Sequence, residues 1–336
     1  MIALGGAAAS IAIGLIAPRV ASWQVEFPET LVGCALLALP ALYPKHWVRR
    51  VATVALVVVL ILLAAGLLRV RRKGVIQQAR SFYGALTVTE ENLFLNRYDP
   101  MRVLYHGGIQ HGTQFLAPEL QKAPTTYYAP RSGVGQLLHA RLHPWNVGVI
   151  GLGAGTLAVY GRPYDSFTFY EIDPLVAEVA QSKFSYLKDS RARVKIAIGD
   201  GRLSLEKEAP QQLNLLVIDA FSGDSIPTHL LTREAFELYF SKLKADGVIA
   251  IHISNKFVDL RPVLAGVADA LDKQAVLIHS FANSTRGAYQ SDWVLIANGI
   301  GAFRDLPPAT MQALPPLPPG FQVWTDDYSN ILQLLR

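Results

Sequence analysis

Cysteine is nearly missing: Cys34 stands alone in 336 residues, so the chain forms no internal disulfide and no cysteine-based zinc site. Histidine is sparse too, and His106, His111, His139 and His143 lack metal-ligand spacing, so no metal centre is expected. Acids are scarce at one end. Residues 1–73 carry eight Lys or Arg against only Glu26 and Glu29, which leaves 23 basic and 24 acidic residues for the rest. The formal charge of +5 therefore belongs to the amino-terminal region. The balanced remainder is no polyanion binder, which excludes nucleic acid as a partner.

Charge is also absent from three apolar stretches, 2–17, 31–43 and 51–68. The third, VATVALVVVLILLAAGLL, has 18 uncharged residues, a length that predicts a membrane helix. The other two are shorter and richer in Gly and Ala, and each alone would suit a signal-peptide core or a buried helix. No basic segment precedes Ile2 and further apolar stretches follow, which favours three spans in residues 1–73. Three spans put Arg19, Arg69, Arg71, Arg72, Lys73 and Arg80 on one side, against Lys45, Arg49 and Arg50 on the other. The basic excess then predicts a multi-pass inner-membrane protein whose remaining chain is cytoplasmic.

The stretch NVGVIGLGAGTLAVYGRPYDSFTFYEID, 146–173, reads as strand, glycine turn, short helix and a second strand ending in acids. Gly151, Gly153 and Gly155 permit a sharp turn and close approach of a ligand. Glu171, at the end of the second strand, suits a ribose diol. Further strands are expected at 193–198, 213–218, 247–254, 275–280 and 293–297, with helical patterns between them. That alternation implies an α/β fold with a mostly parallel, doubly wound sheet. Ligands bind at the carboxyl ends of such strands, where Gly151, Glu171, Asp200 and Asp219 all fall. Ahead of it, 81–116 alternates in short runs and predicts three or four antiparallel strands. The proline-containing stretch 117–131, with Tyr127 and Tyr128, reads as a loop over a pocket, and Ser132 as the cap of a helix that Pro144 ends.

Asp200 with Gly201 suits an adenine corner, the carboxylate accepting from the exocyclic amine. Asp219 follows the apolar run LLVI and so meets the crevice. Asp224, in DAFSGDSIP, is either a second carboxylate at that crevice or a turn residue. Paired carboxylates near a sulfonium or an amine can hold cations and accept a proton. Asp326 and Asp327 either cap a terminal helix or face the site.

The motifs RVLYHGGIQHG, VIGLGAG, FYEIDPLV, IGDGR, VIDAFSGDSIPTHLLTREAF and TDDYS carry a resemblance. Over residues 80–330 the sequence resembles the spermidine synthase (polyamine aminopropyltransferase) family, specifically its membrane-anchored relatives. The resemblance implies a small antiparallel β domain, 80–125, ahead of a Rossmann-like domain of the S-adenosylmethionine methyltransferase type, 126–336. It implies decarboxylated S-adenosylmethionine as cosubstrate, a diamine such as putrescine as acceptor and no tightly bound cofactor; it leaves a homodimer open. By position, Glu171 would hold the ribose, Asp200 the adenine, and Asp219 would deprotonate the amine. Gln110 matches a donor-side glutamine, and Tyr128 or Tyr127 an aromatic near the acceptor. The sequence departs from the family at Ala154, where an aspartate usually binds the donor's ammonium, and at SGVGQLL, which replaces a tyrosine-histidine-glutamate signature. Two alternatives follow: a methyltransferase using intact S-adenosylmethionine, or a catalytically silent polyamine-sensing membrane protein.

Overall fold

The computed structural model describes residues 2–16, 47–71, 74–92, 100–210, 212–221 and 226–335. The chain divides into Met1–Glu91 with Tyr105–Gly107, and Asn92–Leu104 with Gly108–Arg336. In the first unit, α1 (Ile2–Ile11) runs into a π-helical turn, Ala12–Ile16, and α2 spans Trp47–Arg71. β1 (Val75–Ser81) and β2 (Gly84–Glu91) pair antiparallel across a tight reversal in which the Tyr83 N–H donates to Ser81 Oγ at 3.1 Å.

The amino-terminal helices differ from the membrane spans expected of them. Among the described residues no helix is long and apolar enough to cross a membrane. α1 has 10 residues, about half the length that a hydrocarbon core of about 30 Å demands. Arginines at both ends of α2 confine its charge-free stretch to 18 residues, about 27 Å at 1.5 Å per residue. The stretch 31–43 lies outside the described residues. The multi-pass inner-membrane placement, the cytoplasmic orientation built on it and the membrane as a partner are therefore withdrawn.

The second unit takes in most of β3 (Met101–His106) and all of β4 (Ile109–Phe115), then a helix, α3 (Gly133–Ala140). Ser132 caps α3 as expected, its hydroxyl accepting from the Gly135 N–H at 3.1 Å. Glycine is required inside this helix because a Cβ at Gly133 would come within 2.6 Å of Trp293 Cβ.

Eight strands form the main sheet: β5 (Asn146–Ile150), β6 (Ser166–Glu171), β7 (Arg193–Ile198), β8 (Leu213–Ile218), β9 (Leu243–His252), β10 (Gln274–Ser280), β11 (Ser291–Ala297) and β12 (Met311–Gln312). Their order is β12-β10-β11-β9-β8-β5-β6-β7. β5 to β9 pair in parallel, whereas β11 joins β9, and β10 and β12 follow, antiparallel. Every residue of β8 is buried, as a strand covered on both faces requires. Helices α4 (Pro174–Lys183), α5 (Gly201–Lys207), α6 (Arg233–Lys242) and α7 (Arg261–Ala270) alternate with the strands. Phe236 and Tyr239 of α6 and Val263, Leu264 and Val267 of α7 share one core with Ile218, Ile249 and Ile251. The architecture is a Rossmann-like α/β sheet of the methyltransferase type. Because the strand order reverses at β5, between β6 and β8, the crevice opens at their carboxyl ends.

At the opposite end, Arg141 and Asp165 form a fully buried ion pair. Arg141 also donates to the Leu138 and Tyr160 carbonyls, each at 2.8 Å, and Asp165 accepts from the Trp145 N–H at 2.8 Å. Burial lowers the Arg141 pKa, although Asp165 opposes the shift. Removing the acid strands a buried cation, so Asp165→Ala is expected to cost about 3–5 kcal/mol in urea unfolding. An unchanged midpoint would show that the pair does not hold the α3–β5 corner.

Candidate active site

β5 runs directly into Gly151, whose N–H donates to the Tyr170 carbonyl at 2.8 Å, while the Asp219 N–H donates to the Ile150 carbonyl at 2.9 Å. Gly151 has φ +100° and Gly153 φ +54°, conformations that L side chains resist. A Cβ at Gly151 would lie 2.4 Å from the Asp219 carbonyl oxygen, and one at Gly153 2.6 Å from that of His111. Gly155 packs on Leu187 instead. The space each glycine clears is thus occupied by the chain's own atoms, where the sequence led us to expect a ligand. The helix that follows is a 3-10 segment, Thr156–Tyr160. Ala154 is buried, and a Cβ at Gly112 would come within 2.6 Å of its own Cβ, so two small residues let β4 and the glycine turn touch.

Glu171 is 8% exposed and accepts from the Leu152 N–H at 3.0 Å and the Asp173 N–H at 2.9 Å, which ties the second strand end to the glycine turn. Burial raises its pKa to about 7, against the lowering effect of those backbone donors. Asp200 caps α5, accepting from the Leu203 N–H at 2.9 Å, and its other oxygen lies 2.9 Å from His229 Nε2. Gly201 is packed on Ile150. Arg202 then makes a paired contact to Asp326 at 2.7 and 2.6 Å, and Asp326 accepts from Thr232 Oγ1 at 2.7 Å. The hydrogen bonds from Arg202 hold Asp326 down to a pKa of about 2. Asp326 therefore neither caps a helix of its own nor faces the crevice; it clasps Arg202 to the start of α6.

A cleft of about 460 Å³, partly open to solvent, lies beside the glycine turn. Of the residues expected at a site, Gln110, Tyr128, Gly153 and Asp219 line it. Glu171, Asp200, Gly151, Gly155 and Gly201 sit at neighbouring strand ends without lining it, and Asp224 lies outside the described residues. Tyr127, Phe221, His252 and Ser254, with Ile109 and His111, complete the wall.

Asp219 is the centre of this cleft. Its Oδ2 accepts from the Tyr128 hydroxyl at 2.5 Å and its Oδ1 lies 2.7 Å from His252 Nδ1. Burial, then the charge of Asp219 and the hydrogen bond to it, raise the Tyr128 pKa well above its ordinary value, so the phenol stays a donor. His252 Nε2 lies 2.8 Å from Ser254 Oγ, which accepts from the Asp292 N–H at 2.9 Å. The ring of His252 stacks on Trp293, centroids 4.8 Å apart at 15°, with Tyr127 at 4.8 Å. Gln110 Oε1 accepts from the Tyr289 hydroxyl at 3.0 Å, and its Nε2 is buried without a partner. Sequence reading missed His252 and Ser254. The signal was the run VIAIH, an apolar strand ending in a polar residue just as LLVID does.

No protein-family model matches the chain. It is 31% identical over 121 residues to a polyamine aminopropyltransferase of Vibrio vulnificus, across 34% of this chain and 38% of that one. It is 32% identical over 130 residues to an N-terminal histidine N-methyltransferase of Emericella nidulans, across 38% of this chain and 22% of the relative. The matches thus span well under half the length of these curated relatives. Among solved structures, spermidine synthase from Thermotoga maritima superposes with a TM-score of 0.51 at 21% identity, covering 75% of this chain and 81% of that chain. The fold is spermidine synthase-like.

Glu171 sets a pH dependence. Its folded pKa, about 7, exceeds the ordinary 4.5, so between these values the folded state keeps a proton that the unfolded chain has lost. Stability should therefore fall as pH rises from about 4.5 to 7 and level off above. Glu171→Gln is expected to remove this slope, on the order of 2 kcal/mol between pH 5 and 8, as read by urea unfolding. An identical slope in the variant would reject the assignment.

Proposed function

We propose that the chain transfers an aminopropyl group from decarboxylated S-adenosylmethionine to a diamine such as putrescine, with Asp219 as base and no tightly bound cofactor. In this reading, residues 80–125 form the small β domain and 126–336 the catalytic domain. The observation that carries it is the Asp219 carboxylate at the end of β8, in a cleft walled by Tyr127, Tyr128 and Phe221. Aromatic faces and a carboxylate together attract an organic cation.

An alkylammonium has no free lone pair until it loses a proton. Once it does, the nitrogen bonds to the carbon beside the sulfonium as the carbon–sulfur bond breaks. The sulfur leaves as a neutral thioether, and the proton goes to the Asp219 centre. Holding both reactants in one cleft supplies the alignment this displacement needs. Glu171 takes the ribose diol, Asp200 and Gly201 the adenine, and Gln110 the donor's alkyl side. The partial identity to a polyamine aminopropyltransferase and the spermidine synthase-like fold support this reading.

A second reading is methyl transfer from intact S-adenosylmethionine. Ala154 favours it, since no acid there repels a donor carboxylate, as does the unpartnered Gln110 Nε2, a donor that could meet one. Incubating the protein with putrescine and either donor, and weighing the product, separates aminopropyl from methyl transfer. Asp219→Asn is expected to lower kcat by about 10²–10⁴-fold while nucleoside binding, measured by calorimetry, persists. Full activity in that variant would remove Asp219 from the chemistry.

A further inference from the structure

We propose that the proton leaving the attacking amine comes to rest on His252, relayed by Ser254, while Asp219 stays ionised as the partner of the imidazolium. This rests on the transferase reading above and changes one part of it, moving the proton's resting place from Asp219 to the imidazole that Asp219 holds.

Both oxygens of Asp219 already face donors, Tyr128 at 2.5 Å and His252 Nδ1 at 2.7 Å. Each oxygen is thus already engaged by a neighbouring side chain before any substrate proton arrives. A carboxylate is in general poorly matched to the task, because alkylammonium groups titrate near 10 and carboxylates near 4, a gap of roughly six units; an ordinary imidazole, near 6.5, closes about two fifths of it.

The directions of the hydrogen bonds single out the atom that accepts. The Asp292 N–H can only donate, so it fills one lone pair of Ser254 Oγ at 2.9 Å and leaves the hydroxyl proton free to turn. Nδ1 of His252 faces a carboxylate, so the neutral ring carries its proton there. Nε2 is then bare and receives the Ser254 hydroxyl at 2.8 Å. Ser254 and His252 both line the cleft, but the His252 side chain is only 4% exposed and its Nε2 lies against Ser254 Oγ, so the serine is the member of the pair placed to meet a substrate.

In the step itself, the amine nitrogen gives its proton to Ser254 Oγ as Ser254 gives its own to Nε2. The nitrogen lone pair forms the new N–C bond, the C–S bond breaks onto sulfur, and His252 ends as imidazolium. The titratable groups facing His252 are Asp219 from β8 and Tyr127 and Tyr128 from the preceding loop. Asp292 of β11 lies one serine away, its carboxylate 2.6 Å from His279 Nδ1.

The test compares wild type, His252→Gln and Ser254→Ala for kcat and KM from pH 5 to 9, with decarboxylated S-adenosylmethionine and putrescine. Thermal unfolding and histidine nitrogen NMR accompany the kinetics. His252→Gln keeps a donor amide for Asp219, so it should fold, bind the donor with unchanged KM, lose about 10²-fold in kcat and lose the acid limb of the kcat profile. Ser254→Ala should lower kcat and alter the Nε2 resonance. Wild-type kcat and acid limb in His252→Gln would overturn the relay and leave Asp219 as base, with the transferase reading intact. Wild type forming no product would instead sink that reading, and NMR would still judge the relay. A neutral His252 protonated at Nε2 refutes it; one protonated at Nδ1 that gains its second proton at Nε2 supports it.

Discussion

The crevice depends on one close approach of backbone, where the end of β8 lies against the turn after β5. The Asp219 N–H donates to the Ile150 carbonyl, and the Asp219 carbonyl fills the space a side chain at Gly151 would need. That contact sets the side chain of Asp219 above the sheet at the point where strand order reverses. From there it meets two donors from other parts of the chain, Tyr128 from the loop before α3 and His252 from the end of β9. Each partner is fixed in turn by Trp293. Its ring stacks on His252, its Nε1–H donates to the Tyr127 carbonyl at 3.1 Å, and its side chain is the reason α3 begins with glycine. The polar centre is thus positioned by apolar packing beneath it, as buried hydrogen-bonded groups require.

The alternating strands and helices were legible because parallel strands buried on both faces read as apolar runs, LLVI of β8 above all. The same logic marked Asp219, since a polar residue ending such a run has nowhere to go but the crevice. It applies equally to His252, whose place at the end of an apolar strand is the signal that metal-ligand spacing does not carry. The reason for the glycines was legible only in part. Their positive φ follows from the motif, but the atoms they avoid, the carbonyls of Asp219 and His111, come from distant segments.

Other roles were closed to local reading. Asp326 looked like a cap because aspartate often is one, yet its partner Arg202 stands 124 residues earlier. Asp200 does cap a helix, and its second oxygen is engaged by His229 from the far side of β8. The apolar amino-terminal stretches read as membrane spans from composition and length, whereas no helix among the described residues is long and apolar enough to cross. Composition measures the appetite for burial and leaves open where it is met.

The clasp between Arg202, Thr232 and Asp326 bears on how the site is finished. Arg202 opens α5 and Thr232 opens α6, but the carboxylate that binds them together arrives near the carboxyl terminus. During synthesis the glycine turn, the strand-end acids and His252 all emerge before it. The corner around Asp200 is accordingly the last portion of the crevice to acquire its final shape, and a ribosome-bound chain lacking residue 326 would hold it only loosely.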